Sequence, residues 1–86
     1  MPVLATTVVP LDLAVYDQIS NHLAPELQAA PGFVAHAVHS AGPGSFTVTE
    51  IWNSAADFTS FFGNAVKPNL PSGVEPVVTE LHAVLR

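Results

Sequence analysis

Residues 33–52 read FVAHAVHSAGPGSFTVTEIW, which is two strand-like runs joined by the turn Ala41-Gly42-Pro43-Gly44. β-Branched and aromatic residues favour strands, and a short link rich in glycine and proline favours a hairpin. With a four-residue loop, Ser40 pairs with Ser45. This register decides which residues lie together, because successive side chains of a strand alternate between the two faces of the sheet.

The register predicts two faces of different chemistry. The first face carries Phe33, Ala35, Ala37 and His39 opposite Phe46, Val48, Glu50 and Trp52. Aromatic side chains mixed with alanines and a carboxylate fill a core poorly, so we expect a pocket on this face. The second face is flat and mostly β-branched, with Val34, His36 and Val38 opposite Thr47, Thr49 and Ile51. A surface of this kind is suited to packing against another sheet.

The rest of the chain completes a doubled βα pattern. The expected elements are a strand at Val3–Val9, a helix over 13–24, a helix from Ser54 to Lys67-Pro68 and a strand at Val74–Leu85. Pro25 lacks an N–H, so we expect a kink or a separate turn over 25–30. The order predicts one ferredoxin-like α+β domain over residues 1–86, βαββαβ, with strand order 4-1-3-2 and both helices on one face.

Composition limits the partners of this 86-residue chain. Only 10% of the residues are charged, against about 25% in typical soluble domains, so we expect another subunit to cover part of the apolar surface. A homodimer formed by sheet-to-sheet packing would bury ~800 Å² per partner. The net charge of -5 leaves only Lys67 and Arg86 as cations, which disfavours nucleic acid and anionic membranes as partners.

The chain contains no cysteine, which excludes disulfides and thiolate metal sites. The N-terminal residues lack the basic region of a signal peptide, and no stretch approaches the ~20 apolar residues of a membrane span. We therefore expect a soluble cytoplasmic protein.

Several segments resemble the antibiotic biosynthesis monooxygenase domain of the dimeric α/β-barrel superfamily. They are Pro31-Gly32-Phe33, the hairpin, Glu50-Ile51-Trp52, and the helix with Ser54, Asp57, Phe58 and Phe61. The resemblance covers essentially the whole chain. It implies a sheet-packed dimer, a pocket in each protomer lined by Trp52, and oxidation of polyketide-derived aromatic phenols with O₂ and no cofactor. Haem degradation, another activity of the family, is disfavoured because strand one offers Thr6 and Thr7 instead of asparagine, and helix two has no histidine.

Glu50 is the main catalytic candidate. On the helix-covered face an unpaired carboxylate would be strongly unfavourable, so we expect it to be protonated, hydrogen-bonded or beside a polar cavity. There it could take a phenolic or benzylic proton, which lets O₂ accept an electron from the substrate. A structural acid bonded to Tyr16, His22 or a helix amide is the alternative. His39, on the same predicted face, and His22, on helix one, are the other candidate bases.

Aromatic residues are the candidates for substrate binding, since they can stack a planar ring. They are Trp52, Phe33, Phe46, Tyr16 and Phe62. The alternative for Trp52 is a core side chain between the sheet and helix two. His36 and His39 point to opposite faces and cannot chelate one metal, and zinc spacings are absent, so we expect no metal site. We also expect no cofactor, because no step of the reaction that the resemblance implies requires flavin, haem or metal.

Three functions stay open at this point. The first is a cofactor-independent monooxygenase that acts on a planar aromatic, polyketide-type small molecule. The second is a non-oxidative cyclase or isomerase that uses the same base. The third is a non-catalytic dimeric module that binds a small hydrophobic ligand. The fold alone cannot distinguish them.

Overall fold

The computed structural model describes all 86 residues, in the order βαββαβ. The elements are β1 Val3–Val9, α1 Leu13–Ala29, β2 Phe33–Ser40, β3 Phe46–Trp52, α2 Ala55–Phe61 and β4 Val77–Glu80. A π-helical turn at Phe62–Val66 and a 3₁₀ turn at Lys67–Asn69 continue α2. The strands form one antiparallel sheet in the order β2-β3-β1-β4. This is the predicted order, so the ferredoxin-like α+β class is confirmed.

The first helix continues through Pro25 to Ala29, so the separate turn that we allowed over 25–30 is not present. Leu27, in the turn that follows Pro25, is buried in the core against the sheet. Burial of an apolar side chain contributes about 1.5–3 kcal/mol, which offsets the one backbone hydrogen bond that Pro25 cannot donate. Ser54 begins α2 as predicted, since its hydroxyl accepts a hydrogen bond from the backbone N–H of Asp57 at 3.1 Å.

The last strand is shorter than the predicted Val74–Leu85. β4 covers only Val77–Glu80 and pairs with β1 alone. Proline has no N–H for a ladder bond, which explains why pairing begins after Pro76. Val74 leaves the sheet and is buried in a second core cluster with Val9 and Phe46.

The hairpin register differs from the predicted one by one residue. Ser40 pairs with Phe46 instead of Ser45, and the backbone N–H of Ala41 donates to the Ser45 carbonyl at 3.0 Å. The loop is therefore the three residues Gly42-Pro43-Gly44. Its two glycines have φ of 112° and 72°, values that residues with a Cβ rarely adopt. The four-residue loop is wrong, and the paired side chains of β2 change faces as a result.

Because of this shift, His36 and His39 each lie on the face of the sheet opposite to the predicted one. His36 lies opposite Glu50 on the helix side of the sheet, although we predicted it on the dimer face. His39 lies opposite Thr47 and is exposed on the other side, although we predicted it in the pocket. Ala35 and Ala37 also leave the predicted pocket face.

A β-bulge corrects the register at the start of β2. The pairing shifts between Phe33 and Ala35, so that Phe33 lies opposite Trp52. The Phe33 ring packs edge-on against the Trp52 ring, with centroids 5.6 Å apart. The bulge thus returns Phe33 to the helix side, where we had predicted it. The predicted faces of β3 are right, since Phe46, Glu50 and Trp52 are all buried.

Both helices cover one face of the sheet. The main core cluster on that face consists of Val3, Ala5, Leu27, Trp52, Phe58 and Phe62. No layer covers the opposite face, which we call the open face; it includes Leu4, Thr6, Val8, Ala37, Thr49, Ile51 and Val77. None of the helices has the length and apolar character that a membrane span requires.

Candidate active site

A cavity of about 270 Å³ lies between the sheet and the two helices. Its wall is mostly apolar, and its aromatic members are Tyr16, Phe33, Phe46, Phe58, Phe61 and Phe62. Ser20 and Ala24 face it from α1, and these small side chains leave space between helix and sheet. The volume is just below the ~300–1,000 Å³ typical of ligand pockets, so only a small molecule would fit.

Three polar side chains on the cavity wall are hydrogen-bonded in series. The Tyr16 hydroxyl lies 2.7 Å from Nε2 of His36, and Nδ1 of His36 lies 2.5 Å from Oε2 of Glu50. We call them the Tyr16–His36–Glu50 chain. Each residue comes from a different element, namely α1, β2 and β3, so the site requires the complete fold. All three residues border the cavity.

Glu50 is held from two sides. Its Oε2 faces His36, and its Oε1 accepts a hydrogen bond at 2.9 Å from Nε1 of Trp52. The residue is only 9% exposed, so these two partners replace the water that a carboxylate would otherwise bind. Trp52 therefore fixes which oxygen of Glu50 is presented to His36.

The hydrogen-bond directions follow from the chemistry of the groups. An ionised carboxylate only accepts, so Nδ1 of His36 carries the proton that lies toward Glu50. Nε2 of the neutral imidazole is then an acceptor, and the Tyr16 hydroxyl donates to it. A histidine oriented in this way by a carboxylate can take up a proton at Nε2, because the carboxylate stabilises the imidazolium that forms.

The structure brings most of the predicted site residues together. Glu50 is on the cavity wall, and so are Tyr16, Phe33, Phe46 and Phe62. These positions agree with the sequence-based expectation. The roles of the residues in catalysis and binding stay predictions.

Three predicted residues lie elsewhere. Trp52 is fully buried, with 0% exposure, and is not part of the cavity wall, so the core alternative describes its position. His22 is exposed on α1 and outside the cavity lining. His39 is exposed on the open face, where its Nδ1 lies 3.0 Å from the Ser40 carbonyl oxygen. The predicted pocket positions of Trp52 and His39 are wrong, whereas the position of His22 agrees with its alternative as an exposed helix residue.

Sequence reasoning missed His36. The error came from the loop, since a shift of one residue moved His36 to the wrong face. One signal could have found it: a buried Glu50 needs a donor on the neighbouring strand. The register that pairs His36 with Glu50 supplies that donor, whereas the predicted register places Ala35 there.

No family model matches the chain, and no curated protein sequence does. Solved structures do match. Rv0793 from Mycobacterium tuberculosis aligns over 100% of both chains with a TM-score of 0.71 and 13% identity. A Deinococcus radiodurans protein named as an antibiotic biosynthesis monooxygenase aligns over 100% of this chain and 97% of its own, with a TM-score of 0.66 and 16% identity.

A third similar structure is the heme-degrading protein Rv3592 from Mycobacterium tuberculosis. It aligns over 100% of both chains with a TM-score of 0.60 and 15% identity. Identities this low show the fold alone. The predicted resemblance to the antibiotic biosynthesis monooxygenase domain is thus confirmed at the level of the fold.

Proposed function

We propose that the protein is a cofactor-independent monooxygenase that oxidises a planar aromatic, polyketide-type molecule in the cavity. The observation that carries this proposal is the pairing of His36 with the buried Glu50 on the wall of an apolar cavity. A base in a mostly apolar chamber suits removal of a proton from a phenol or a benzylic carbon. The fold shared with proteins named as antibiotic biosynthesis monooxygenases supports the reaction class.

The reaction balances without a further reductant. The substrate proton passes to the Tyr16 oxygen while the Tyr16 hydroxyl proton passes to Nε2 of His36, and the resulting substrate anion gives one electron to O₂. The substrate radical and superoxide then combine to form a C–O bond. Loss of water, completed by the proton from His36, leaves a carbonyl on the ring. One oxygen atom enters the product and the other leaves as water, while the apolar wall limits escape of the reactive pair into solvent.

The test uses 1,8-dihydroxyanthrone as the probe, with an oxygen electrode and the absorbance of the quinone product. We expect one O₂ consumed for each quinone formed. Glu50→Gln should lower kcat by about 10²-fold or more, since it removes the negative charge that stabilises protonated His36. His82→Gln is the matched control, because His82 is exposed and outside the cavity lining.

Two other results would contradict the proposal, and each would indicate one of the alternative functions. Conversion of the probe without O₂ consumption would indicate a non-oxidative cyclase or isomerase. Binding without conversion, unaffected in affinity by Glu50→Gln, would indicate a ligand-binding module.

We also propose that two copies pack through their open faces. The open face carries Leu4, Val8 and Ile51 with no layer over them. The chain exposes 5232 Å², slightly more than the about 4,900 Å² expected for a folded monomer of this mass. A partner on the open face would remove this excess and cover the apolar side chains.

A further inference from the structure

The charge of the cavity wall restricts what can bind there. Glu50 is the acidic residue of the wall, and neither Lys67 nor Arg86 borders the cavity. The Arg86 guanidinium instead donates to the side-chain oxygen of Asn53 at 2.7 Å, on the exposed surface. A carboxylate inside the cavity would therefore face Glu50 without a cationic side chain beside it. Like charges in a partly desolvated site repel strongly.

The Tyr16–His36–Glu50 chain also has an unused acceptor. The Tyr16 hydroxyl donates its proton to His36, but its oxygen can still accept a hydrogen bond. A ligand hydroxyl can donate a hydrogen bond to the Tyr16 oxygen and so add one hydrogen bond to the Tyr16–His36–Glu50 chain. A proton leaving the ligand then passes to Tyr16 while the Tyr16 proton passes to His36.

We propose that the cavity selects neutral planar ligands that carry a donating hydroxyl, through the Tyr16 oxygen, and rejects carboxylated analogues of the same shape, through Glu50. The inference rests on the proposed function, since it names the substrate class of the same site. A phenol satisfies both conditions. An aryl ether loses the donor, and an aryl carboxylate loses the donor and adds the repelled charge.

Three naphthalene derivatives test the inference by calorimetry near neutral pH. They are 2-naphthol, 2-methoxynaphthalene and 2-naphthoate. We expect 2-naphthol to bind about 10-fold more tightly than the ether, which is the factor given by one hydrogen bond of typical strength. We expect 2-naphthoate to bind at least about 10-fold more weakly than the ether because of its charge.

Two variants test separately the preference for a hydroxyl, which we assign to Tyr16, and the rejection of a carboxylate, which we assign to Glu50. Tyr16→Phe keeps the ring that packs edge-on against Phe46 but should remove the preference for naphthol over the ether. Glu50→Gln should strengthen naphthoate binding about 10-fold and leave the ether unchanged. His82→Gln should leave all three affinities unchanged. Trp52 is the single tryptophan of the chain, so its indole N–H signal in ¹⁵N NMR shows that each variant keeps a folded site.

The outcomes separate this inference from the proposed function. Wild-type binding of naphthoate as tight as that of naphthol would overturn the charge selection. A naphthol preference that survives Tyr16→Phe would overturn the part played by Tyr16. Because binding is measured without turnover, the affinity order can hold even if no O₂ is consumed, and O₂ consumption can hold even if the affinity order fails.

Discussion

Glu50 shows how a buried carboxylate can be accommodated in so small a core. Each of its oxygens has a different partner, the Trp52 indole N–H for Oε1 and the His36 ring for Oε2. No buried side-chain nitrogen or oxygen in the structure lacks a hydrogen-bond partner. Trp52 therefore contributes a directed N–H as well as apolar volume, which a phenylalanine at the same position could not supply.

Trp52→Phe should test this contribution. It leaves Oε1 of Glu50 without its donor, which costs about 1–3 kcal/mol in the free energy of unfolding beyond the lost packing. In a Glu50→Met background the acceptor is absent, so Trp52→Phe should cost at least about 1 kcal/mol less there. Urea unfolding of the four proteins measures the difference. Equal costs in both backgrounds would show that the hydrogen bond contributes no net stability.

At the scale of elements, the strands and helices were predictable and the hairpin register was not. The Val- and Thr-rich run of β1 and the capping Ser54 of α2 are local signals that the fold preserves. The alternation in β2 fits either face, because each set contains one histidine beside small or branched apolar residues. Only the loop length distinguishes them, and Gly-Pro-Gly is compatible with more than one. The candidate site was therefore half predicted: Glu50 and Tyr16 were found, but their link through His36 was missed because the four-residue loop placed Ala35 opposite Glu50.

The close contact between α2 and the start of β2 leads to a prediction about two glycines. Gly32 and Gly44 have φ of 82° and 72°, so Ala at either position costs about 1–2 kcal/mol in backbone strain. A Cβ on Gly32 would also overlap the Asp57 side chain, whereas a Cβ on Gly44 has its nearest neighbour, Asp12 Oδ1, at 4.0 Å. Gly32→Ala should therefore destabilise by about 1–3 kcal/mol more than Gly44→Ala.

Thermal unfolding of the two alanine variants checks this prediction. Gly63→Ala is the control, because Gly63 has no neighbour within 4 Å of an added Cβ and no positive φ. Similar losses for Gly32→Ala and Gly44→Ala would mean that Asp57 moves aside at little cost.

The whole molecule is divided into two unlike sides. Helices, core and cavity occupy one side of the sheet, and the other side is bare. Only 12 of the 86 residues are buried, few enough that a single copy leaves much of its apolar content in contact with water. The proposed dimer would complete the molecule without altering the cavity, since the two features lie on opposite faces.

Thr49→Lys should separate the two copies. Thr49 lies in the middle of the open face, between Thr6 of β1 and Ala37 of β2, where an unpaired charge would be desolvated on association. Sedimentation should show the wild type at twice the 9.0 kDa of one chain and the variant at 9.0 kDa. Thr59→Lys, at an exposed position of α2, should leave the dimer intact. A Thr49→Lys protein that stays dimeric would exclude packing through this face.

The bulge at the start of β2 also bears on aggregation through the edge of the sheet. β2 is an outermost strand of the sheet, and the outward row of peptide groups on such a strand is a template for recruiting extended chains from other molecules. A bulge bends and twists the row of unpaired peptide groups, which makes edge-to-edge pairing with another strand geometrically unfavourable. We therefore expect the extra residue that turns Phe33 toward the helices to disfavour amyloid-like assembly along this edge of the sheet.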